Sequence, residues 1–200
     1  MTDTHAGAPE PAADPELFVD FANETRLSGA DRPDPERDVE RLGAWLVSRG
    51  LVDAAPEKER LEGELPAFLH LRELTRSVAG RLDAGEEPTR TQVAALNRVM
   101  RDGMHYHALH LGADGASFAT TPVGDELAHA RSAVGGSLAH YLADHDASRV
   151  RVCADETCTW LFVDRSPAGR RRWCDMRTCG NRAKVARHRA RARESGAATG

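Results

Sequence analysis

Residues 153–182 read CADETCTWLFVDRSPAGRRRWCDMRTCGNR and hold every cysteine of the chain. Cys153 and Cys158 form one close pair, Cys174 and Cys179 a second, each spaced C-x4-C. One tetrahedral zinc ion needs such an arrangement. Each short loop delivers two thiolates to one side of the ion, and the spacer folds back to bring the pairs together. Disulfides, or a redox or other metal role, are the alternatives. A reducing compartment argues against the first. Four Cys fill the coordination sphere, and no Glu stands beside them to work on a metal-bound water, so the expected Zn2+ is single and structural. Its role would be to supply folding free energy to a segment too small to fold by burial.

The spacer suits a hairpin. Trp160-Leu161-Phe162-Val163 is a strong β run, Asp164 to Gly169 is turn-rich, and Arg170 to Trp173 can return as a second strand. Trp160 and Trp173 are then expected in the hairpin core. Thr178 is placed to cap a helix starting at Cys179, where free N–H groups favour a thiolate. Knuckle, hairpin and a ligand at a helix start make a treble-clef-like layout.

Outward from the cysteines the charge is lopsided. Residues 149–200 carry 13 Arg/Lys against 5 Asp/Glu, and residues 1–148 carry 14 against 26, so a net +8 faces a net −12 within an overall −4. Arg170, Arg171 and Arg172 sit at the hairpin return. Arg182, Lys184, Arg187, Arg189, Arg191 and Arg193 follow on the helix, with Asn181 at its start. At 100° per residue, Arg182, Arg189 and Arg193 share one face, and Lys184, Arg187 and Arg191 the opposite one. Val185 is the one substantial apolar residue there, so this helix cannot pack as an ordinary amphipathic helix. A polyanion would relieve its self-repulsion. A solvated tail, or docking on an acidic protein surface, is the competing explanation. No aromatic series suited to stacking single-stranded bases is present, which favours duplex DNA.

Residues 15–148 read as a mainly helical α+β domain. Leu17 to Asn23 (LFVDFAN) is a short apolar run, strand or helix start. Asp31 to Asp38 is a Pro- and charge-rich loop. Val39 to Arg49 has helical spacing and Gly50 stops it. Leu61 to Leu82 is a longer helical pattern in which Pro66 moves the expected start a turn later. Thr89 or Thr91 caps a helix with Val93, Leu96, Val99 and Met100 on its inner face. His105 to Leu111 alternates as a strand does, Gly112 to Gly115 turns, and Ala116 to Thr120 returns. Val123 to Leu142 is helical, and Arg149 to Val152 opens the zinc segment as a strand. His105, His107 and His110 are read as a polar strand face rather than a metal site, since His110 points away from the other two.

Residues 1–14 lack the basic and apolar regions of a signal peptide and read as a disordered leader; residues 195–200 read as a disordered tail. No run of about 18 apolar residues exists to span a membrane. A cytoplasmic protein is expected, nucleoid-associated when on DNA. No P-loop, dinucleotide fingerprint, nucleophile elbow or metalloprotease motif is present, so an enzyme is not expected.

Trp160-Leu161-Phe162-Val163-Asp164, Ser166, Arg171-Arg172-Trp173-Cys174, Met176 and Cys179-Gly180-Asn181-Arg182-x-Lys184 together resemble the CGNR zinc finger, named for the tetrapeptide at Cys179 to Arg182. That finger typically follows an ABATE domain in bacterial proteins described as stress-induced transcription regulators. Leu17, Asp20, Phe21 and Asn23, then Trp45-Leu46 and Gly50-Leu51, look like the start of such a domain. Glu24 departs from the Thr frequent after the Asn, and Asp175 from the Ser common after the third Cys. The resemblance implies zinc ligation by Cys153, Cys158, Cys174 and Cys179, a finger over 149–194, and a DNA-binding transcription regulator. Its N-terminal domain would sense a small-molecule effector or form a homodimer. A protein-interaction or redox-responsive module, or an enzyme with its site in the N-terminal domain, is the alternative.

Overall fold

The computed structural model describes residues 14–24, 35–112 and 115–197, with backbone alone at 24, 35, 119–122 and 190–197. Residues 1–13 of the expected leader, 31–34 of the expected loop and 198–200 of the expected tail lie outside the described residues; 35–38 are already helix, because Pro35 suits a first helical turn, and 195–197 continue the last helix rather than forming a disordered tail. Among the described residues, six α-helices and two antiparallel hairpins follow in the order α1 (Leu17–Glu24), α2 (Pro35–Ser48), α3 (Lys58–Asp83), α4 (Arg90–Asp102), β1 (His105–Gly112), β2 (Gly115–Pro122), α5 (Glu126–Asp144), β3 (Val150–Val152), β4 (Leu161–Val163) and α6 (Asn181–Ala197).

The LFVDFAN run resolves as a helix. Eight residues are too few to hold a helix alone, and α1 is held by what it buries. Phe21 packs against Trp45 of α2 and Phe68 of α3, with ring centroids 5.2 and 6.2 Å away. The Phe18 N–H, with no partner of its own in a first helical turn, donates 2.9 Å to the buried hydroxyl of Ser137 on α5.

Helix α3 starts earlier than Pro66 suggested and runs straight through it. Proline removes the bond to the carbonyl four residues back. That carbonyl belongs to Glu62, and both Glu62 and Pro66 are exposed, so water can meet it. Buried Leu61, Leu65, Phe68, Leu71 and Leu74 hold the helix on the other side. Thr89 rather than Thr91 caps α4, in a capping box with Gln92. On that helix Leu96 is buried but Val93 stays exposed, narrowing the expected inner face. Asp125 caps α5 through the N–H groups of Leu127 and Ala128.

The first core cluster joins α1, α2, α3 and α5. The second joins α1, α3, α4 and α5, and it also takes in Val150 of β3 and Leu161 of β4. Asn23 fastens the same junction. Its side-chain amide donates 2.8 Å to the Leu161 carbonyl, and its carbonyl oxygen accepts 2.8 Å from the Leu161 N–H. It thus takes the place of a neighbouring strand at the edge of β4.

Two expectations for the zinc segment are corrected. β4 pairs with β3, in the register Val150↔Val163 and Val152↔Leu161, and not with residues 170–173. The strand forms where apolar residues can face the helices. Three consecutive arginines offer no such face, and Arg170–Trp173 is irregular, tied back by the Ala154 N–H donating 2.8 Å to the Arg172 carbonyl. Trp160 is not in the hairpin core: it is 39% exposed. With Trp45, Arg49 and Asn23 it lines a cleft between the helices and the zinc segment.

Candidate metal centre and basic groove

The first cysteine pair sits at the tip of the β3–β4 hairpin. The Cys153 N–H donates to the Trp160 carbonyl at 2.8 Å and closes the ladder. Asp155 shapes the knuckle: its side chain accepts from the Thr157 N–H at 3.0 Å, and its carbonyl accepts from the Cys158 N–H at 2.8 Å. Thr159 leaves the knuckle in the left-handed region, φ 55°.

The second pair is brought together by a wide turn. In an α-helix, residues five apart point about 140° away from one another. Here residues 176–180 form a single π turn, with the Gly180 N–H donating 3.1 Å to the Asp175 carbonyl. The chain wraps once between Cys174 and Cys179 before α6 begins. Asp175, not Thr178, caps this turn, accepting from the N–H groups of Arg177 and Thr178 at 2.6 and 3.0 Å.

All four sulfurs lie within 4.8 Å of one another, and this is the one such cluster among the described residues. Cys158 and Cys174 Sγ are 3.5 Å apart, Cys174 and Cys179 Sγ 3.7 Å. A disulfide needs about 2.0 Å. Zinc–sulfur bonds of about 2.3 Å set the edge of a tetrahedron at about 3.8 Å. The donor set therefore fits one zinc ion held by Cys153, Cys158, Cys174 and Cys179. Three of them are buried, with Phe162 and Trp173 packed around them.

The thiols themselves call for a cation. Burial pushes Cys174 up, and the neighbouring thiols push it further. Burial likewise raises Cys158. Cys179 moves the other way: burial opposes its ionisation, but hydrogen bonds from Arg182, Cys158, Thr178 and Cys174 together outweigh that. A divalent ion supplies the positive charge that such a group of thiolates lacks.

The arginines split into two groups. Arg182 donates to Cys179 Sγ at 3.2 Å and pairs with Asp155 at 2.8 Å, joining the start of α6 to the first knuckle. Arg171 donates to the carbonyls of Trp173 and Cys174, and its guanidinium lies 5.1 Å over the Phe162 ring. Arg172 lies over Trp173, 5.3 Å from the ring centroid. Asn181 donates to the Arg177 carbonyl at 2.8 Å. These residues brace the metal centre while keeping exposed surface. Arg170, Lys184, Arg187 and Arg189 are exposed. Arg191 and Arg193 lie on α6 with side chains outside the described residues.

On one side of α6, Arg177, Arg182 and Arg189 border a shallow groove of about 640 Å³ together with Thr178, Asn181, Val185 and Ala186. Arg177 was absent from the sequence-based set. It precedes the expected helix, and the π turn carries it round to the face of Arg182 and Arg189.

Among the described residues, no helix is long and apolar enough to cross a membrane. A family model for the CGNR zinc finger matches residues 149–192. The ABATE family model, described as "Putative stress-induced transcription regulator", matches residues 16–145. No curated protein matches the chain.

Proposed function

The chain belongs to the ABATE family and carries a CGNR zinc finger, and on that premise we propose that it is a zinc-dependent transcription regulator that binds duplex DNA and catalyses no reaction. The observation that carries this reading is the groove beside the metal centre. Arg177, Arg182 and Arg189 border it on the exposed side of a helix that has little apolar surface to bury. Such a row suits phosphates, which position a protein on DNA, while Asn181 in the same groove is suited to a base edge. Zinc, when bound, would fix the start of α6 relative to the first knuckle through the four cysteines. Arg182 would act on both sides, bracing Cys179 and presenting its remaining surface to the groove.

The helical domain takes the sensing role in this reading. The cleft of about 540 Å³ lined by Asn23, Arg41, Ala44, Trp45, Ser48, Arg49 and Trp160 has walls from both the helices and the zinc segment. An effector there would bear on both.

Fluorescence anisotropy with a labelled duplex at several salt concentrations tests the DNA reading. Affinity should fall by roughly 0.9 log unit per log unit of salt for each phosphate neutralised. Arg189→Ala should weaken binding about equally on all sequences and reduce that slope by about 1. A flat salt response in the zinc-loaded protein would sink the proposal.

A further inference from the structure

The β1–β2 hairpin has no third strand beside it among the described residues. Its eight paired positions, from His105↔Pro122 to Gly112↔Gly115, project from the point where α4 ends and α5 begins. The base is closely fitted. A Cβ at Gly103 would meet the Ser132 Cβ on α5 at 2.1 Å, and the Val123 N–H donates to the Met104 carbonyl at 2.8 Å. Beyond that base the side chains of Tyr106, Leu109, Leu111 and Phe118 stand exposed. A two-stranded hairpin alone in water is marginal, so its order needs another source.

The register sorts its residues by face. Leu109 pairs with Phe118, Leu111 with Ala116, and these positions share one side of the ribbon with His107. Tyr106, Ala108, His110 and Ser117 take the other side. The first side is apolar and bare: Leu109 is 67%, Leu111 83% and Phe118 63% exposed. His107 stacks on Phe118 with centroids 5.1 Å apart and does not cover it from solvent.

We propose that this apolar face is a dimerisation arm, covered in solution by the same face of a second copy of the chain. Charge argues for a second copy over other occupants. Between Gly103 and Gly124 in the sequence, Asp114 is the one formally charged residue, in a chain that is 29% charged. A face without Lys or Arg offers nothing to an anionic lipid surface or to nucleic acid. Two copies of an acidic domain repel least where neither presents charge, and a two-fold axis makes one apolar patch complementary to itself. The area suffices. His105, His107, Leu109, Leu111, Ala116 and Phe118, all on this side and all exposed, together present on the order of 600 Å² per copy, so a pair approaches about 1,200 Å², the lower end of stable interfaces. The arm also deepens the DNA reading, because a dimer would present two basic grooves to two half-sites.

Sedimentation velocity on the full zinc-loaded chain, without DNA, tests the arm separately from DNA binding. The wild type should sediment as a dimer at tens of micromolar. A Leu109→Glu/Leu111→Glu variant should raise the dimer dissociation constant at least tenfold, with an unchanged far-UV spectrum and one zinc per chain, since both side chains are exposed. Phe118→Ser provides a second, uncharged variant with the same expectation. A wild type that is monomeric at these concentrations would overturn the proposal, whether it stays free or floats with neutral phosphatidylcholine vesicles. So would a dimer that both variants leave intact. A wild-type dimer that binds no duplex DNA would count against the regulator reading alone.

Discussion

In the helical domain, the first core cluster alone gathers fourteen buried apolar residues, Phe21, Trp45 and Phe68 among them. In the zinc segment, the local cluster consists of three cysteines and Phe162, with Trp173 and Cys174 against it. Burial of this size supports the first; nothing comparable supports the second. What apolar surface β3 and β4 possess, at Val150 and Leu161, is spent in the helical domain's own core. The zinc segment is thus ordered from two sides, by the helices at its base and by the metal at its tip. The two supports can be removed separately.

Removing the metal has the largest expected effect. Structural zinc contributes roughly 10–16 kcal/mol of binding free energy in small fingers. Chelation should therefore abolish amide protection from the knuckle through the π turn of residues 176–180, while α3 and α5 keep theirs. Hydrogen exchange before and after chelator checks this, with one zinc per chain released. Loss of protection in all helices together would mean that the two regions are one cooperative unit.

The second test is aimed at the seam. Asn23→Ala leaves both the N–H and the carbonyl of Leu161 without the partners seen at 2.8 Å. An unpaired, partly buried backbone pair costs about 2 kcal/mol. Thermal melts should show that loss, and zinc transfer to a competing chelator should quicken, although Asn23 touches no cysteine. An unchanged transfer rate would mean that the helices contribute nothing to the order of the metal site.

Much of this was legible in the sequence, and unevenly so. The apolar spacing of Val39, Leu42 and Leu46, and of Leu61 through Leu82, places α2 and α3 because both helices bury a long face. The four cysteines announce their common ligand by spacing alone, and the resemblance agrees with them. The partner of β4 was not legible. Its choice of β3 depends on Val150 and Leu161 reaching a core supplied by α1, α3, α4 and α5, of which α1 lies more than a hundred residues away in the chain. Nor was the π turn, since a C-x4-C spacing does not say which hydrogen-bond ring closes it. The sequence-based set treated Arg171, Arg172 and Arg182 simply as positive charge. Only the folded positions of Cys174, Phe162, Trp173 and Asp155 show that these arginines are also braces.

The smallest effect probes the helical side alone. Asp125 Oδ1 accepts from the N–H groups of Leu127 and Ala128 at 2.8 and 2.9 Å. The bond from Ala128 is the main cause holding its carboxyl below the usual range; burial opposes it, and the Leu127 N–H, Arg60 and Arg131 assist. Losing such a cap costs about 1 kcal/mol, so Asp125→Ala should lower stability by that much at neutral pH. The sign of the pH dependence follows from the direction of the shift. A carboxylate with a depressed folded pKa stabilises fully above its unfolded value of about 3.9, and that contribution fades as pH falls through the lower folded value. The gap between wild type and Asp125→Ala should therefore be constant from pH 7 to about 5 and close below about 4. Asp125→Asn keeps a capping oxygen without a titrating charge, so its own gap to Asp125→Ala should persist at acid pH. Measuring all three in chelator removes the thiolates' own pH dependence. If helical stability then varies with pH identically in all three, the cap is not ionised in the fold and α5 is held by burial alone.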